Sequence, residues 1–275
     1  ICSRDWSSDV CSSDLQRTQT NIRSYSSDEL KTILNVSLLN KYGFKISQID
    51  KMSAEQMEEK ILALNQIDAQ KERVVNALIK EMVSLNMVHF ERQLDLYIGQ
   101  KGIDKAITEI IFPFLERVGI LWITSHINPA QEHLASNIIR QKIILGIEKL
   151  PPVLHYSKRI VLFMPEGEYH EIGLLYVHFL LKQKGIYVDY LGANVPFVDL
   201  QYLVNASKLD YLYCHLTSPL KNFKINQFFE QLTSLGHNKP ILVSGQLAQS
   251  YKGDLGTGIQ IMHSLSEVIN FIEKI

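Results

Sequence analysis

The chain has 275 residues, of which 46% are hydrophobic and 21% charged, and this composition excludes a disordered or collagen-like protein. Its 28 Lys and Arg residues nearly balance its 29 Asp and Glu residues, so no global basic field indicates nucleic acid and any DNA contact would have to be local. No apolar run in the sequence approaches the ~20 residues that a membrane-spanning helix needs.

Cysteine usage predicts a reducing compartment. Three cysteines are too few for a disulfide framework, and two of them lie within the first fifteen residues. Cys214 lies inside an apolar run, where we expect a buried free thiol. The sequence therefore predicts a cytoplasmic protein without a membrane partner.

Residues 1–15, ICSRDWSSDVCSSDL, differ in composition from the rest of the chain. They have neither the basic start nor the apolar core of a signal peptide, and they resemble a translated sequencing adapter. Because the chain also lacks an initial Met, we expect a foreign segment in place of the natural N-terminus. A natural disordered tail is the alternative.

Helix signals follow this segment. Ser26 and Ser27, followed by two acids, predict the start of a helix, which Gly43 ends, and Ser47 opens a short second helix. The tetrapeptide Ser53-Ala54-Glu55-Gln56 has the pattern of a capping box. We assign residues 16–52 to one domain and residues 53–85 to a helical connector that includes the start of a bundle.

Residues 86–150 carry alternating apolar stripes typical of helices, with punctuation at Gly102, Pro113, Gly119 and Pro129. Together with part of the connector they predict a helical cap of about four helices.

Residues 151–275 change to an alternating strand and helix pattern after Pro151-Pro152. The predicted strands are Arg159–Met164, Tyr187–Leu191, Leu209–Leu216, Pro240–Ser244 and Ile259–Met262. The predicted helices are His170–Lys184, Val198–Ala206, Ile225–Leu235 and Ser264–Ile275. This order predicts an α/β fold with a five-stranded, parallel, doubly wound (Rossmann-like) sheet, whose ligands bind at the carboxyl ends of the strands.

The loop after the first predicted strand contains Glu168, His170 and Gly173. A carboxylate two residues before a histidine can fix its tautomer and raise its basicity as a metal ligand. A glycine at the start of the following helix permits close approach of a bulky ligand.

This spacing resembles the Asp-x-His-x-x-Gly motif of cobalamin-binding domains. The resemblance implies that His170 coordinates cobalt from below and that Glu168 orients it. The family's later Ser-x-Leu element resembles Ser218-Pro219-Leu220, and its glycine pair resembles Ser244-Gly245. In the family these elements line the slot for the displaced nucleotide tail. Glu168 replaces the usual Asp and keeps a carboxylate, whereas Ser244 replaces the first glycine of the pair.

A second motif lies in the helical block, where Trp122 is followed by nine residues and then by Glu132-His133. The pattern resembles that of light-sensing cobalamin regulators, in which these side chains cap the adenosyl group. Some members carry a histidine directly after the Trp that takes the upper cobalt position after illumination. Ile123 stands there and cannot ligate. His126 is nearby in the sequence and could substitute, but a solvated or structural histidine is the favoured alternative.

The segment from Arg17 to the turn at residues 43–49 resembles the rear half of a MerR-family winged helix-turn-helix. The resemblance implies that Arg17, Arg23 and Tyr25 contact the DNA backbone. The recognition helix would precede Arg17, so we expect the operator to be a partner of the full-length protein.

The order of these pieces resembles MerR-type cobalamin-dependent repressors of carotenoid genes, and it predicts a transcriptional regulator rather than an enzyme. Adenosylcobalamin, or another cobalamin, would bind between bundle and sheet. Cofactor state, altered by light in some members, would control assembly into dimers or tetramers and thereby DNA binding. Two alternatives stay open: a corrinoid methyl-carrier protein and a degenerate regulator without cofactor.

Four further basic residues near the second half of the sheet form no metal-binding pattern, and we expect them on the solvated surface. They are His215, Lys221, Lys224 and His237.

Overall fold

The structure is a computed structural model, and it describes residues 27–41, 44–63, 66–123, 127–218, 223–236, 239–253 and 255–275. The chain divides after Ile138 into two compact units. The predicted foreign segment, residues 1–15, lies outside the described residues. No helix in the described part of the chain is long and apolar enough to cross a membrane.

The first unit is helical. Its helices are α1 (Ser27–Lys41), α2 (Ile46–Ile49), α3 (Ala54–Ala63), α4 (Gln66–Val83), α5 (Met87–Lys101), α6 (Ile103–Ala106) and α7 (Phe112–Ile123), and α8 (Pro129–Glu148) continues beyond Ile138. The capping box before α3 is confirmed, because the Ser53 amide donates to Gln56 Oε1 (2.9 Å) and the Gln56 amide donates to Ser53 Oγ (3.3 Å). The helical bundle predicted from the apolar stripes is confirmed.

Pro113 and Gly119 do not separate helices, contrary to the expected punctuation. A π-helical turn, Ile107–Ile111, joins α6 to α7, and the Phe112 amide donates to the carbonyl of Ile107, five residues earlier. Pro113 has no amide hydrogen and would crowd the preceding turn of a regular helix. The wider π turn places this proline at the start of α7, so the chain stays helical through it.

Apolar side chains hold the helices of this unit together. Leu39, Ile49, Met57 and Ile61 form a buried cluster between α1, α2 and α3. The Phe90 and Phe114 rings, on α5 and α7, make an edge-on contact with centroids 5.4 Å apart.

The second unit contains a five-stranded sheet with helices. The strands are β1 (Arg159–Pro165), β2 (Tyr187–Val195), β3 (Tyr211–His215), β4 (Ile241–Ser244) and β5 (Ile259–Ile261). The helices that follow them are α9 (Ile172–Gln183), α10 (Phe197–Ala206), α11 (Ile225–Gly236), α12 (Gln246–Gln249) and α13 (Leu265–Lys274). All pairings are parallel, in the order β2-β1-β3-β4-β5, so the predicted fold class is confirmed.

Both faces of the sheet are buried, as a doubly wound sheet requires. Val161 and Phe163 of β1 belong to the cluster that includes residues of α10 and α11, whereas Ile160 and Leu162 belong to the cluster that includes residues of α9 and α13. Cys214 is a buried free thiol, as expected.

Two strand boundaries differ from the prediction by two residues or more. β2 continues to Val195, four residues past the predicted end, and β3 starts at Tyr211 rather than at Leu209. β3 ends at His215, although the Leu216 amide still donates to the carbonyl of Ser244 (2.8 Å). The candidate residues of this unit therefore lie at or after the carboxyl ends of β1, β3 and β4.

Candidate functional site

The loop after β1 is fixed to the end of β2. The Gly167 amide donates to Asn194 Oδ1 (2.9 Å), and the Asn194 amide donates to the carbonyl of Glu168 (3.0 Å). Gly167 has a φ of 88°, a left-handed conformation that glycine adopts without strain. These bonds hold the loop in the turn that directs Glu168 into the protein.

Glu168 is fully buried, and its carboxylate is the central acceptor of the site. Oε1 accepts from the amides of Tyr169 and His170 (3.0 Å each), and Oε2 accepts from the amides of Thr217 (2.8 Å) and Ser218 (2.9 Å). Burial raises the pKa of Glu168, but the hydrogen bonds from His170, Ser218 and Thr217 outweigh it and lower the pKa to about 2. The carboxylate is therefore charged near neutral pH, and it links the β1 loop to the end of β3.

His170 lies above this carboxylate with a side chain that is 59% exposed. Its Nδ1 is 2.6 Å from Glu168 Oε1 and 3.2 Å from Ser218 Oγ. A charged carboxylate at this distance favours the tautomer that carries the proton on Nδ1, which leaves the lone pair of the neutral ring on Nε2. An exposed imidazole whose other nitrogen is bonded to a carboxylate is the usual donor arrangement of a histidine metal ligand.

The structure thus brings together Glu168, His170 and Ser218, three of the predicted site residues. The exposed imidazole of His170 could bind a cobalt ion. The described residues contain no cluster of three or more His, Cys, Asp or Glu side chains suited to a metal ion, so this site could supply one protein ligand rather than a protein cage. The role of each residue stays a prediction.

Ser244 and Gly245 follow β4, where the sequence predicts a slot for a nucleotide tail. The Ser244 side chain is buried, and its Oγ accepts from the Tyr213 hydroxyl (2.8 Å) and lies 2.7 Å from His215 Nδ1. Gly245 has a φ of 100°, and a Cβ there would lie 2.2 Å from the carbonyl oxygen of Leu216. The chain's own atoms therefore surround the predicted slot closely.

The expectation that His215 lies on the solvated surface is wrong. Its ring is partly buried at the end of β3, and burial lowers its pKa to about 4, further lowered by His170 and partly offset by Glu168. The sequence could not reveal this, because the contacts come from Ser244 on the adjacent strand and from Gly173 on α9.

Gly173 packs against that histidine. A Cβ at Gly173 would lie 2.5 Å from His215 Nε2 and 2.8 Å from Cε1. The predicted reason for this glycine was the approach of a ligand, whereas the observed neighbour is a side chain of the same unit.

Thr217, between Leu216 and Ser218, was not predicted. Its Oγ1 is buried and has no hydrogen-bond partner in the structure as described. A buried hydroxyl without a partner carries a free-energy cost. Its place beside Ser218 makes it a candidate contact for a polar group of a ligand, and no motif in the sequence singled it out.

The predicted cap residues lie on two helices of the first unit. Trp122 is near the end of α7 and is 46% exposed, which is unusual for an indole that serves only as core. Glu132 and His133 lie in the first turns of α8, with His133 Nδ1 3.0 Å from Glu132 Oε2, and the Ser136 hydroxyl donates to Glu132. Their role as a cap stays a prediction.

Several predicted residues lie outside the described part of the chain. They are Arg17, Arg23 and Tyr25 of the predicted DNA contact, His126, and Leu220 of the Ser-x-Leu element.

Comparison with known proteins supports the cobalamin prediction. The family model of the B12 binding domain matches residues 68–145, which include α5, α6 and α7 and parts of α4 and α8. A cobalamin cofactor is thereby confirmed as the class of ligand. Among solved structures, the Methanosarcina barkeri monomethylamine corrinoid protein has a similar fold, with a TM-score of 0.58 at 14% identity over 74% of this chain and 100% of that chain.

Two curated relatives are HTH-type transcriptional repressors of Myxococcus xanthus. CarH is 32% identical over 152 residues, or 54% of this chain and 49% of CarH, and CarA is 29% identical over 189 residues, or 68% of this chain and 61% of CarA. The chain thus spans between about half and three fifths of the length of these relatives. The chain is similar in sequence to the repressors CarH and CarA, and residues 68–145 of its helical part match the B12 binding domain.

Proposed function

We propose that the protein is a cobalamin-sensing transcriptional regulator that binds adenosylcobalamin with His170 as the lower cobalt ligand. The observation that carries this proposal is the pair of Glu168 and His170, a fully buried carboxylate bonded to Nδ1 of an exposed imidazole. When bound, the cofactor would supply a cobalt ion that accepts a nitrogen donor and, in its adenosyl form, a cobalt–carbon bond that light can cleave.

Glu168 would act on the cofactor only through His170. Its charge and its hydrogen bond hold the proton on Nδ1, so that Nε2 remains the donor atom. The four backbone amides on the carboxylate fix its position, and the ring keeps one orientation at the carboxyl ends of β1 and β3.

The regulatory part of the proposal is supported by the relatives, which are named as repressors. In the full-length protein Arg17, Arg23 and Tyr25 would contact an operator, and the state of the cofactor would change self-association and thereby DNA affinity. Trp122, Glu132 and His133 would cover the adenosyl group. The corresponding partners are a DNA operator and further copies of this chain.

An absorbance measurement tests the proposal. The chain is mixed with adenosylcobalamin in the dark, desalted, and its spectrum recorded. We expect retained cofactor with a spectrum in which a histidine replaces the cofactor's own base, and we expect His170→Ala to lose that spectrum. His155→Ala is a matched control, because His155 is exposed in the same unit and is not part of the site. An unchanged spectrum in His170→Ala would contradict the ligand assignment.

A second candidate function is a regulator that keeps the fold but binds no cofactor. The contacts of His215 with Ser244 and Gly173 favour it, because they fill the space that the sequence assigned to the nucleotide tail. Loss of all cofactor on desalting, from a protein that circular dichroism shows to be folded, would favour this candidate over the first.

A further inference from the structure

We propose that His215 is a specificity-determining residue that closes the space for the nucleotide arm of a cobalamin, so that the site favours corrinoids without this arm. The inference rests on the proposed function. It concerns the space between the start of α9, the end of β3 and Ser244-Gly245, which we call the β3–β4 slot.

The chemistry of the cofactor makes this space critical. A cobalamin carries a nucleotide arm whose benzimidazole can occupy the lower cobalt position. If His170 takes that position, the arm is displaced on the same side of the corrin and needs a space beside the histidine. The end of β3 lies beside this histidine, because Glu168 bonds both the His170 ring and the Thr217 and Ser218 amides.

The His215 ring spans the β3–β4 slot from one wall to the other. On one side its Nδ1 is 2.7 Å from Ser244 Oγ. On the other side its Nε2 is 2.5 Å from the position that a Cβ of Gly173 would take. Carbon atoms in contact lie about 3.5–4.0 Å apart, so an additional aromatic base would need a gap of about 7 Å between these walls. The ring occupies that gap.

Two further contacts among the described residues narrow the slot. The Tyr213 hydroxyl donates to the same Ser244 Oγ (2.8 Å), and the Leu247 amide donates to the carbonyl of Leu216 (3.1 Å). The backbone at Gly245 is so near Leu216 that no side chain would fit there. Entry of a nucleotide arm would therefore require His215 to leave Ser244.

That movement disfavours cobalamin relative to cobinamide, a corrinoid with the same ring and cobalt but no nucleotide. Breaking a hydrogen bond of a partly buried side chain and re-exposing its partner corresponds to about a tenfold loss of affinity or more. Cobinamide would reach His170 without displacing His215.

Absorbance titrations of the full chain with aquocobalamin and with diaquacobinamide, both of which carry Co(III), test the inference. We expect wild type to bind cobinamide at least about tenfold more tightly than cobalamin. The cost of detaching the benzimidazole from cobalt contributes equally in every variant, so the test is the change of this ratio between wild type and variant. His215→Ser should reduce this ratio by improving cobalamin binding, and His155→Ser should behave as wild type. His215→Asn, which is smaller but still able to bond Ser244, provides a second variant should the serine variant fail to fold.

Equal affinities of the two corrinoids for wild type, or the same ratio in a folded His215 variant, would contradict the inference and leave the proposed function intact. Tighter binding of cobalamin to His215→Ser than to wild type, with cobinamide binding unchanged, would support it. If neither corrinoid binds to wild type or to the variants, the proposed function fails, and the inference fails with it.

Discussion

Glu168 accepts hydrogen bonds from four backbone amides and from the ring of His170, so we predict that its carboxylate stabilises the sheet unit. Glu168→Gln replaces one acceptor oxygen by an amide group that faces a donor. We expect the free energy of unfolding to fall by about 1–3 kcal/mol, the usual cost of leaving buried donors unpaired. Urea unfolding followed by circular dichroism measures it. Glu166→Gln, on an exposed neighbour in the same loop, should cost nearly nothing, and an equal loss in both variants would refute this role.

Gly173 and His215 offer a coupled test of packing at the start of α9. A Cβ added by Gly173→Ala would lie 2.5 Å from His215 Nε2, and the ring is held by Ser244. We expect Gly173→Ala to destabilise the protein by about 1–3 kcal/mol, as overpacking does. In the background of His215→Ser the same change should cost much less, because the ring is gone. A double-mutant cycle by urea unfolding measures the difference, and strictly additive effects would disprove the contact.

The sequence predicted contacts between site residues that are close together along the chain. It did not predict contacts between residues that are far apart in the sequence and come together only in the folded protein. Glu168 and His170 are two residues apart, so their pairing could be predicted from a motif. His215 was predicted to lie on the surface, because the residues next to it in the sequence do not indicate its contacts with Ser244 and Gly173. Thr217 was missed for a related reason: its burial depends on how the loop after β3 folds back over Glu168.

Helices α4 and α7 are joined by an ion pair that carries its own prediction. The Arg117 guanidinium donates to Glu72, whose side chain is buried, and to Asn76 Oδ1 (2.6 Å). Arg117→Met would leave a carboxylate in the helix interface without this partner. We expect a loss of about 3–5 kcal/mol, and we expect the double variant Glu72→Met/Arg117→Met to recover much of it. Thermal unfolding checks both, and equal stability of wild type and Arg117→Met would contradict the prediction.

Helix α9 carries a histidine that should make the sheet unit sensitive to acid. His178 stacks on Tyr190 with centroids 5.1 Å apart, and burial, with a contribution from Lys182 that Glu148 partly offsets, lowers its pKa to about 4. An unfolded histidine has a pKa near 6.5. Between pH 6.5 and 4 the unfolded chain therefore binds a proton that the folded chain does not, so stability falls as the pH falls through this window.

His178→Phe keeps the ring stacking and removes the titration. We expect the slope of the unfolding free energy against pH, between pH 6.5 and 4, to become shallower by up to about 1.4 kcal/mol per pH unit. His215, whose pKa is also lowered to about 4, should maintain part of the slope. Urea unfolding at several pH values measures it, with His155→Phe as the exposed control. An unchanged slope would show that folding does not lower the pKa of His178.

Most helices and strands were predictable, because the spacing of apolar residues in the sequence indicates all five strands and the helices between them. The errors lie where contacts with a neighbouring element determine the boundary of a strand or helix. β3 begins at Tyr211 because pairing with β1 begins at Ile160, and no residue near Leu209 signals this. Pro113 was predicted to mark a helix boundary, but the π turn before it lets the chain stay helical although proline has no amide hydrogen.

In the whole molecule, the boundary that the sequence pattern predicts differs from the boundary between the two compact units. The change from helical to alternating pattern lies at Pro151-Pro152, whereas the compact units divide within α8, after Ile138. The second half of α8 contributes Arg140, whose Nε donates to Glu171 Oε2 (2.6 Å) next to His170. A helix that looks like the end of one domain in sequence thus supplies contacts to the unit that carries the candidate ligand.

The last prediction concerns assembly and light in the whole protein. If adenosylcobalamin binds as proposed, size-exclusion chromatography with light scattering should give a larger molar mass in the dark complex than in the protein without cofactor. Illumination should reverse the change, because it removes the adenosyl group that Trp122 is proposed to cover.

Trp122→Ala should weaken the binding of adenosylcobalamin more than the binding of aquocobalamin. The half-exposed indole offers the adenosyl group a flat apolar surface, and aquocobalamin lacks that group.

The residue after Trp122, Ile123, determines what we expect to happen to the cofactor after illumination. An aliphatic side chain at that position cannot replace the lost adenosyl group on cobalt, so the illuminated protein has no ligand there to trap the corrin. We therefore expect cofactor to be lost on desalting after illumination more readily than before it. Retention of the cofactor with a two-histidine spectrum would contradict this and would make His126, tested by His126→Ala, the ligand to examine. An unchanged molar mass in dark and light, with cofactor bound, would separate cobalamin binding from assembly and refute the light-dependent part of the proposal.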